Sequence, residues 1–472
     1  MAVDRIYVGV GPGETRVALC DGERLVDLVV ERDGEAGRSG DICLGRVAQV
    51  ASGLGAAFVD IGLDRPGFLP LGGGATLSEG DAVAVQVVQE ALGDKGVKLT
   101  RDLTVSGRFL VYAPGQDGVW LSKRIAGAVE RARLTTALED LIAPGEGIIV
   151  RTSAVGVESA RLRRDLDGLR RKWRGLDARR VAARAPFSLQ PALDAARAAL
   201  RDDVEGVLAQ LVTDDPDMLA GLRAYCAEAA PEFLPALEQH AGPGDLFETM
   251  GIEAQIDAAL DPRVPLPSGG EIVIEPTAAL TAIDVNSAQA SGPGGATGRE
   301  RLALAVNLEA ATAIAQQLRL RNIAGMIFCD MLPLRDRRLG ADVLAAFEAA
   351  TADDRVPVRV AGFTRLGLVE LVRDRHRAPL ADRLLSPAVD GPRRARAPLA
   401  VAFAALRAVL VAVRRSPGLP PRLVAAPSVA RALVGPAAAA RAKAEAMVGA
   451  AIVVETDAAL GLDGFRIESH RR

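Results

Sequence analysis

Short runs of alternating apolar and polar residues dominate the first third of the chain, and this period is typical of strands. Two runs within residues 5–32 meet at Asp21-Gly22, a dipeptide that favours a tight turn, and so they predict a hairpin. Residues 38–101 hold several short runs separated by Gly and Pro, which predicts a compact β-barrel of about five strands. We expect further strands over residues 102–155 and a helix over residues 156–184.

The second half of the chain combines helical periods with buried strands. Helices and strands alternate over residues 190–260. The residues after 264 then predict two apolar strands, a long helix over residues 299–320 and a third strand that reaches Asp330. A Pro- and Arg-rich linker, residues 391–398, precedes a small α/β domain, residues 399–472. The expected fold class is therefore a multidomain α/β plus β protein.

Composition narrows the kinds of site that the chain carries. The 472 residues include three His, far apart, and four Cys without short C-x-x-C spacing. This argues against a disulfide framework, a zinc knuckle and a His-based metal site. The net charge of −3 does not indicate a nucleic-acid binder, but residues 161–184 hold ten Arg or Lys against three Asp. Helical spacing would arrange these cations as a basic stripe, and a solvated helix face is an equally good interpretation.

No segment of the sequence predicts a membrane span. The N-terminal MAVDRIYVGV lacks the basic and then apolar form of a signal peptide. The apolar run Ala397–Val413 is interrupted by Arg407 and is short for a membrane helix. We therefore expect a soluble, cytoplasmic protein.

Two aspartates close apolar strands. Asp284 ends LTAID and Asp330 ends MIFCD, so the two carboxylates would converge if the strands are neighbours. Such a pair suits Mg²⁺, which takes one or two protein carboxylates and fills its other positions with water and phosphate oxygens. Asn286 lies two residues after Asp284, on the same face of the strand, where it could hold a carboxylate or a phosphate. Strand-end aspartates are more often loop-capping residues than catalysts, so the spacing alone leaves both interpretations open.

Longer strings of the chain resemble the ribonuclease E/G family. The similar strings are GDICLGRV, GAAFVDIGLDRPGFLPL, DKGVKLTRDLTVSGRFLVYAP, GIIVRTSAVG, LPSGGEIVIEPTAALTAIDVNSA, NLEAATAIAQQLRLRNIAG, GMIFCDM and FTRLGLVEL. Their order and spacing follow the family over residues 3–385, with a looser similarity over residues 420–470. The resemblance implies a Mg²⁺-dependent endoribonuclease that cuts single-stranded RNA in rRNA or mRNA processing and decay, and that leaves 5′-phosphate and 3′-hydroxyl ends.

The resemblance also implies an order of subdomains. An RNase H-like subdomain is interrupted by an OB-fold RNA-binding barrel and a 5′-sensor region, and a DNase I-like catalytic subdomain follows. The expected parts are residues 1–34 with 190–262 (RNase H-like), 35–101 (OB-fold), 102–189 (5′ sensor), 263–390 (DNase I-like), 391–398 (linker) and 399–472 (small α/β domain).

Individual positions take expected roles from the same resemblance. The catalytic residues are Asp284 and Asp330, which are similar to the family's magnesium ligands, and the supporting Asn286. The RNA-binding residues are Phe58, Phe68, Lys95, Lys123 and Arg124. The residues that sense a 5′-monophosphate are Gly107, Val111, Arg151, Thr152 and Arg365. Phe side chains would stack on bases, and an Arg fork with a hydroxyl donor would recognise the extra charge of a terminal phosphate.

Several of these residues have a plainer interpretation. Phe58 and Phe68 could fill the core of the barrel. Arg151 could be a surface charge on a strand, and Lys95 lies in a turn-like setting between Asp94 and Gly96.

The chain also departs from the family pattern. Pro333 occupies a place where the family often has a further acidic residue, which implies a weaker metal site. The Cys pair of the family's zinc link is missing near residues 385–400, so we expect no zinc and a possible homodimer held by the apolar residues 397–413. The scaffold tail of the larger members, which assembles the degradosome, is not expected either. The alternative function is a non-catalytic RNA-binding or ribosome-assembly factor with the same fold.

Overall fold

A computed structural model describes residues 3–35, 37–72, 77–91, 93, 95–287, 296–387, 394–416, 422–461 and 463–468. In these residues the chain is a mixed α/β protein with five β-sheets. Each sheet gathers its own hydrophobic side chains, so the molecule is assembled from several small cores.

The first sheet begins as an antiparallel meander. Its strands are β1 (Arg5–Gly11), β2 (Glu14–Asp21) and β3 (Arg24–Arg32). The predicted turn at Asp21-Gly22 joins β2 to β3, and Gly22 has a φ of 62°, which glycine adopts without steric cost.

The second sheet is a closed barrel, as the sequence predicts. Its strands are β4 (Ile42–Ala51), β5 (Ala56–Asp60), β6 (Gly67–Pro70), β7 (Ala82–Gln89) and β8 (Lys98–Thr100). They pair in the order β4-β5-β6-β8-β7, and β7 also pairs with β4, which closes the barrel. Val47, Val59, Leu69, Val85 and Leu99 pack inside it. A closed barrel of five strands is consistent with an OB-like domain.

The third sheet lies next along the chain and is covered by two helices. Its elements are β9 (Val105–Ser106), β10 (Leu110–Pro114), β11 (Gly118–Leu121), α1 (Ala128–Glu139), β12 (Glu146–Val150) and α2 (Ser159–Ala182). The strand order is β11-β12-β10-β9. Helix α1 corrects the expectation of strands throughout residues 102–155. Only Leu134 and Leu138 of α1 are buried, so its apolar period was too weak to be recognised in the sequence.

After α2 the chain returns to the barrel and then to the first sheet. The elements are β13 (Phe187–Gln190), α3 (Ala195–Asp202), β14 (Gln210–Thr213), α4 (Pro216–Ala229), β15 (Leu237–Gln239), α5 (Leu246–Thr249) and α6 (Ile252–Leu260). Strand β13 pairs with β4, whereas β14 joins β1 in parallel and completes the order β15-β14-β1-β2-β3. The first sheet is therefore built from two stretches of chain that flank the barrel and the third sheet.

The fourth sheet carries the two aspartates that the sequence singled out. Its elements are β16 (Arg263–Pro265), β17 (Glu271–Pro276), β18 (Thr281–Asn286), α7 (Ala296–Leu320), β19 (Gly325–Asp330), α8 (Arg337–Thr351), β20 (Val358–Phe363), β21 (Leu368–Arg373) and α9 (Leu380–Leu384). The strand order is β16-β17-β18-β19-β21-β20. Val306 and Ile314 of α7 and Phe347 of α8 pack on one face with Ile283 and Ile327.

A fifth sheet forms the small C-terminal domain. Its elements are α10 (Pro398–Arg415), β22 (Arg422–Ala425), α11 (Pro427–Val434), α12 (Ala438–Val448), β23 (Val453–Thr456) and β24 (Phe465–Glu468). Phe403, Leu406 and Val409 of α10 are buried in this domain's own core. The expectation that residues 397–413 offer an apolar dimer surface is therefore wrong, because that face is already covered.

The structure describes only part of the predicted linker and of the zinc-link region. Part of the predicted linker, residues 391–393, and part of the region of the missing zinc link, residues 388–393, lie outside the described residues. Of the helices in the described ranges, none combines the length and the apolar character that crossing a membrane requires.

Candidate active site

Two parallel strands bring Asp284 and Asp330 side by side. Strands β18 and β19 pair in register, so Asp284 lies opposite Asp330 and Ile283 lies opposite Cys329. Paired residues of neighbouring strands point to the same face of a sheet. Since Ile283 and Cys329 are buried with the helices, the two aspartates project from the other face, where both are exposed.

Asn286 lies on the same face and holds one of the carboxylates. Its Nδ2 donates a hydrogen bond of 2.8 Å to Oδ2 of Asp284. Neither Asp284 nor Asp330 forms an ion pair with a Lys or Arg in the part of the chain that the structure describes. The two negative charges therefore lie next to each other, and no cation of the described segments pairs with them.

This donor set fits a hard cation that keeps most of its coordination open. Within the described ranges, no group of three or more His, Cys, Asp or Glu is placed to hold a metal ion. Mg²⁺ does not need such a group, because one or two carboxylates suffice when water and phosphate oxygens complete the shell. Asp284 and Asp330 are thus the residues that could hold it.

The barrel presents an aromatic pair on its outer surface. Phe58 on β5 lies opposite Phe68 on β6, and their ring centroids are 6.0 Å apart at an interplanar angle of 69°. Both are half-buried, and the barrel interior is filled by other residues, so the interpretation of these Phe as core residues is wrong. Lys98, which sequence reasoning missed, pairs with Phe68 and is exposed. The outer surface thus offers two rings and a cation in one row.

The three basic residues predicted to bind RNA lie in different places. Lys95 is exposed and precedes β8 of the barrel. Lys123 and Arg124 instead follow β11, whose last residue, Leu121, pairs with Val150 just before Arg151. Nη2 of Arg124 forms an ion pair of 3.1 Å with Glu205, so this cation is partly neutralised.

Four of the five predicted sensor residues meet at the ends of β10 and β12. Val111 pairs with Ile149, and the Phe109 carbonyl accepts a hydrogen bond of 2.9 Å from the backbone N–H of Arg151. Nη1 of Arg151 donates to the Gly107 carbonyl at 3.0 Å. Thr152 follows directly, and its hydroxyl lies 3.4 Å from that of Ser122.

Gly107 is required by a close approach. A Cβ at this position would lie 2.7 Å from Oδ1 of Asp165. That carboxylate accepts hydrogen bonds from the backbone N–H groups of Phe109 and Leu110, at 3.1 and 3.0 Å. The turn that carries Gly107 is therefore fixed from α2.

Arg365 does not join this group. It lies in the turn between β20 and β21, and Leu368 at the end of that turn pairs with Asp330. Arg365 is thus at the carboxylate end of the fourth sheet. Arg355 lies at the opposite end of β20, just before the strand begins. Arg355 is close to Asp202, and Asp202 in turn contacts Arg151.

Sequence reasoning missed the charged residues around Arg151. Oδ1 of Asp202 lies 2.6 Å from Nη1 of Arg151, and Asp202 accepts two hydrogen bonds of 2.8 Å from Arg201. Nη1 of Arg355 lies 3.6 Å from Oδ2 of Asp202 and 2.8 Å from Asp203. Burial raises the pKa of Asp202, but the three arginines outweigh burial and hold that pKa below its ordinary value. In the sequence these residues look like an ordinary polar helix end.

Helix α2 carries the predicted basic stripe on its outer side. Leu162, Leu166, Leu169 and Leu176 bury the opposite side. The cations of α2 that are exposed and form no ion pair within the described ranges are Arg163, Arg164, Arg171, Lys172, Arg174 and Arg179. This surface is open to an anionic partner.

The chain matches one family model and several known proteins. The model of the Ribonuclease E/G family matches residues 104–376, which include both aspartates and all the predicted sensor residues. The chain is similar to Ribonuclease G of Escherichia coli (strain K12), with 33% identity over 489 aligned residues that cover 98% of this chain and 99% of that protein. It is similar to Ribonuclease G of Haemophilus influenzae, with 33% identity over 430 residues, 86% of this chain and 87% of that protein. Ribonuclease E of Escherichia coli (strain K12) is 36% identical over 386 residues, 77% of this chain and 36% of that protein. The chain therefore belongs to the ribonuclease E/G family.

Proposed function

We propose that this chain is an endoribonuclease that cuts single-stranded RNA with magnesium held by Asp284 and Asp330. Its family and the names of its relatives support an endoribonuclease of RNA processing. The main observation that supports the metal site is the in-register pairing of two exposed aspartates, which form no ion pair with the described residues. Neighbouring like charges without an internal cation favour the capture of a cation from solution.

The residues of the site act mainly by positioning the groups that would hold the metal ion. A magnesium ion bound to the pair would stabilise charge on the phosphate and lower the pKa of water. Asn286 fixes one carboxylate through its 2.8 Å hydrogen bond to Asp284, so the pair is oriented before RNA binds. The three His are far apart in sequence, which disfavours a metal-free route through the RNA 2′-hydroxyl and a His pair. Cleavage by water leaves 5′-phosphate and 3′-hydroxyl ends.

The barrel is the surface that we propose for the RNA strand near the cut. Stacking of a base on Phe58 or Phe68 contributes about 1–3 kcal/mol and tolerates any base. Lys98 beside the rings, and Lys95 at the start of the same strand region, would contact the phosphate backbone.

We also propose an assignment of the sheets to subdomains. The order β15-β14-β1-β2-β3, with β14 parallel to β1, supports an RNase H-like subdomain made of residues 1–34 and 190–262. The barrel, residues 35–101, is the RNA-binding OB-fold, and residues 102–189 form the 5′ sensor. Residues 263–390 are the DNase I-like catalytic subdomain.

The 5′ sensor would favour RNA that begins with a monophosphate. Arg151 and Thr152 supply a guanidinium group and a hydroxyl beside the backbone of Gly107 and Val111. A terminal phosphate carries more charge than an internal one, and charge-assisted hydrogen bonds to arginine are stronger than neutral ones. Arg365 is left out of this pocket and would instead contact RNA beside Asp330.

We also propose that any homodimer forms without structural zinc. Cys20, Cys43, Cys226 and Cys329 are all buried free thiols, so none of them is available to bridge two copies. Elemental analysis of the purified dimer tests this. About one zinc per two chains, as in a shared four-ligand site, would contradict it.

The main test uses a labelled A/U-rich single-stranded RNA with either a 5′-monophosphate or a 5′-hydroxyl, incubated with Mg²⁺ or with EDTA. We expect cleavage with Mg²⁺ alone, faster for the monophosphate, and products with 5′-phosphate and 3′-hydroxyl ends. Products with 2′,3′-cyclic phosphates would contradict the proposed chemistry. RNA that binds tightly and is never cut would favour the RNA-binding or assembly factor.

A further inference from the structure

We propose that Asp202 is a positioning residue for recognition of the RNA 5′ end, because its carboxylate holds Arg151 and joins it to the catalytic sheet. The inference rests on the proposed 5′-monophosphate preference and extends it to a residue outside the pocket. Asp202 ends α3, which packs on the first sheet, Arg151 directly follows β12 of the third sheet, and Arg355 precedes β20 of the fourth. One carboxylate therefore links three parts of the molecule.

The contacts of Arg151 show how such positioning works. Its Nη1 atom donates a hydrogen bond of 3.0 Å to the Gly107 carbonyl. The same atom lies 2.6 Å from Oδ1 of Asp202, with which Arg151 forms an ion pair. Its Nε and Nη2 atoms have no partner among the described residues. The guanidinium group is thus held from one side, and its opposite edge keeps two donors for a phosphate, which arginine binds through such a pair of N–H groups.

Asp202 is itself rigidly placed. Both of its oxygens accept hydrogen bonds of 2.8 Å from Arg201, and its side chain is 13% exposed. Without the charge of Asp202, Arg151 would lose its ion-pair partner beside Arg201 and Arg355, and these like charges would push it away. Removal of this one carboxylate should therefore disorder Arg151 without a change in the pocket's own residues.

Arginines and carboxylates alternate in the cluster around Asp202. Four guanidinium groups, those of Arg151, Arg201, Arg319 and Arg355, surround the two carboxylates of Asp202 and Asp203. Asp27 and Asp354 also face Arg355, so the cluster has no surplus of positive charge. A terminal phosphate would instead bind to the open edge of Arg151, which Asp202 holds in place.

The experiment compares the wild type with Asp202→Asn on one RNA sequence that carries either a 5′-monophosphate or a 5′-hydroxyl. The readout is the ratio of kcat/KM for the two RNAs, with KM and kcat determined separately. We expect the ratio to fall about tenfold, the factor that a loss of roughly 1.4 kcal/mol of binding free energy produces, and the fall to lie in KM. Affinity for the uncut monophosphorylated RNA in EDTA should fall by the same factor.

A matched control is Glu205→Gln, which removes a carboxylate that pairs with Arg124 near the same cluster and does not contact Arg151. Its ratio should equal that of the wild type. If Asp202→Asn does not fold, Arg201→Gln tests the same point, because it loosens Asp202 and keeps the carboxylate; we expect a smaller fall of the ratio.

Three results would overturn the inference. If Asp202→Asn has the same ratio as the wild type, Asp202 has no role in 5′-end recognition. The proposed 5′ preference would still stand. An increase of the ratio would mean that Asp202 competes with the phosphate for Arg151. A wild-type ratio of one would remove the proposed 5′ preference itself and this inference with it.

Discussion

Two pairs of aspartates in this chain have the same chemical groups and opposite surroundings. Asp284 and Asp330 lie side by side on an exposed sheet face, and within the described ranges no Lys or Arg pairs with them. Asp202 and Asp203 are adjacent in sequence, largely buried, and each is paired with arginines. The first pair needs a cation from outside, whereas the second pair already has its cations.

The comparison shows how surroundings decide the use of a carboxylate. A buried, paired carboxylate contributes to the placement of its neighbours, and its loss leaves a buried charge unbalanced. An exposed, unpaired carboxylate contributes little to folding and is free for chemistry. The predictions below separate these two uses.

The largest expected effect is on catalysis. Asp284→Asn or Asp330→Asn should lower kcat/KM for RNA cleavage at least about a thousandfold, roughly 4 kcal/mol of transition-state stabilisation, because the charge of the ligands holds and activates the metal site. The melting temperature and the affinity for RNA should stay near wild type, since both side chains are exposed. Asp342→Asn, at an exposed position of α8, serves as the control and should cleave normally. Wild-type cleavage by either site variant would show that the active site lies elsewhere.

The second effect should be on stability. Asp203→Asn removes one ion-pair partner of Arg319 and one of Arg355, and the Arg319 side chain is 6% exposed. The loss of one partner of a buried ion pair should lower the free energy of unfolding by about 3 kcal/mol. Denaturant unfolding of this variant beside Asp284→Asn measures the difference between the two pairs. Equal stabilities for the two variants would remove the distinction on which the comparison rests.

A smaller effect is expected on the barrel. Phe58→Ala should raise KM for single-stranded RNA about tenfold through the loss of base stacking, with kcat less affected. Phe187→Ala, which removes a Phe that is 46% exposed on β13, away from the Phe58–Phe68 pair, is the matched control and should leave KM unchanged. If both variants behave alike, the aromatic pair of the barrel has no special role in binding.

The smallest effect is expected on the salt dependence of binding. The double variant Arg164→Gln, Arg171→Gln should reduce the slope of log K against log salt by about 1.4, since each phosphate contact on a single strand contributes roughly 0.7. Arg180→Gln is the control, because Arg180 already pairs with Asp177. Fluorescence anisotropy from about 50 to 200 mM salt measures the slopes. Identical slopes for the double variant and the wild type would mean that α2 does not contact RNA.

Local signals explain what the sequence predicted well. The strands that end at Asp284 and Asp330 could be predicted because each is a short apolar run. The hairpin at Asp21-Gly22 and the barrel could be predicted for the same reason, since their alternating residues and turn residues lie within a few positions of each other. Helix α1 was missed because only Leu134 and Leu138 of that helix are buried, which leaves almost no helical period.

Long-range contacts explain what could not be predicted. Arg151 and Asp202 are far apart in sequence, and nothing in the string RDDVEG indicates that Asp202 reaches another sheet. Arg365 was assigned to the sensor by resemblance, but the length of β20 separates it from Arg355, the arginine that lies near Asp202. The apolar side of α10 looked like an interface because the sequence does not show which domain covers it.

The most direct test of the central claim is the dependence of the cleavage rate on Mg²⁺ concentration, measured under single-turnover conditions with monophosphorylated RNA. We expect the wild-type rate to rise with Mg²⁺, to saturate, and to disappear in EDTA. We also expect Asp330→Asn to need far more Mg²⁺ to reach even a small fraction of that rate. Full cleavage in EDTA, or the same Mg²⁺ dependence for Asp330→Asn and the wild type, would contradict a metal site built on Asp284 and Asp330.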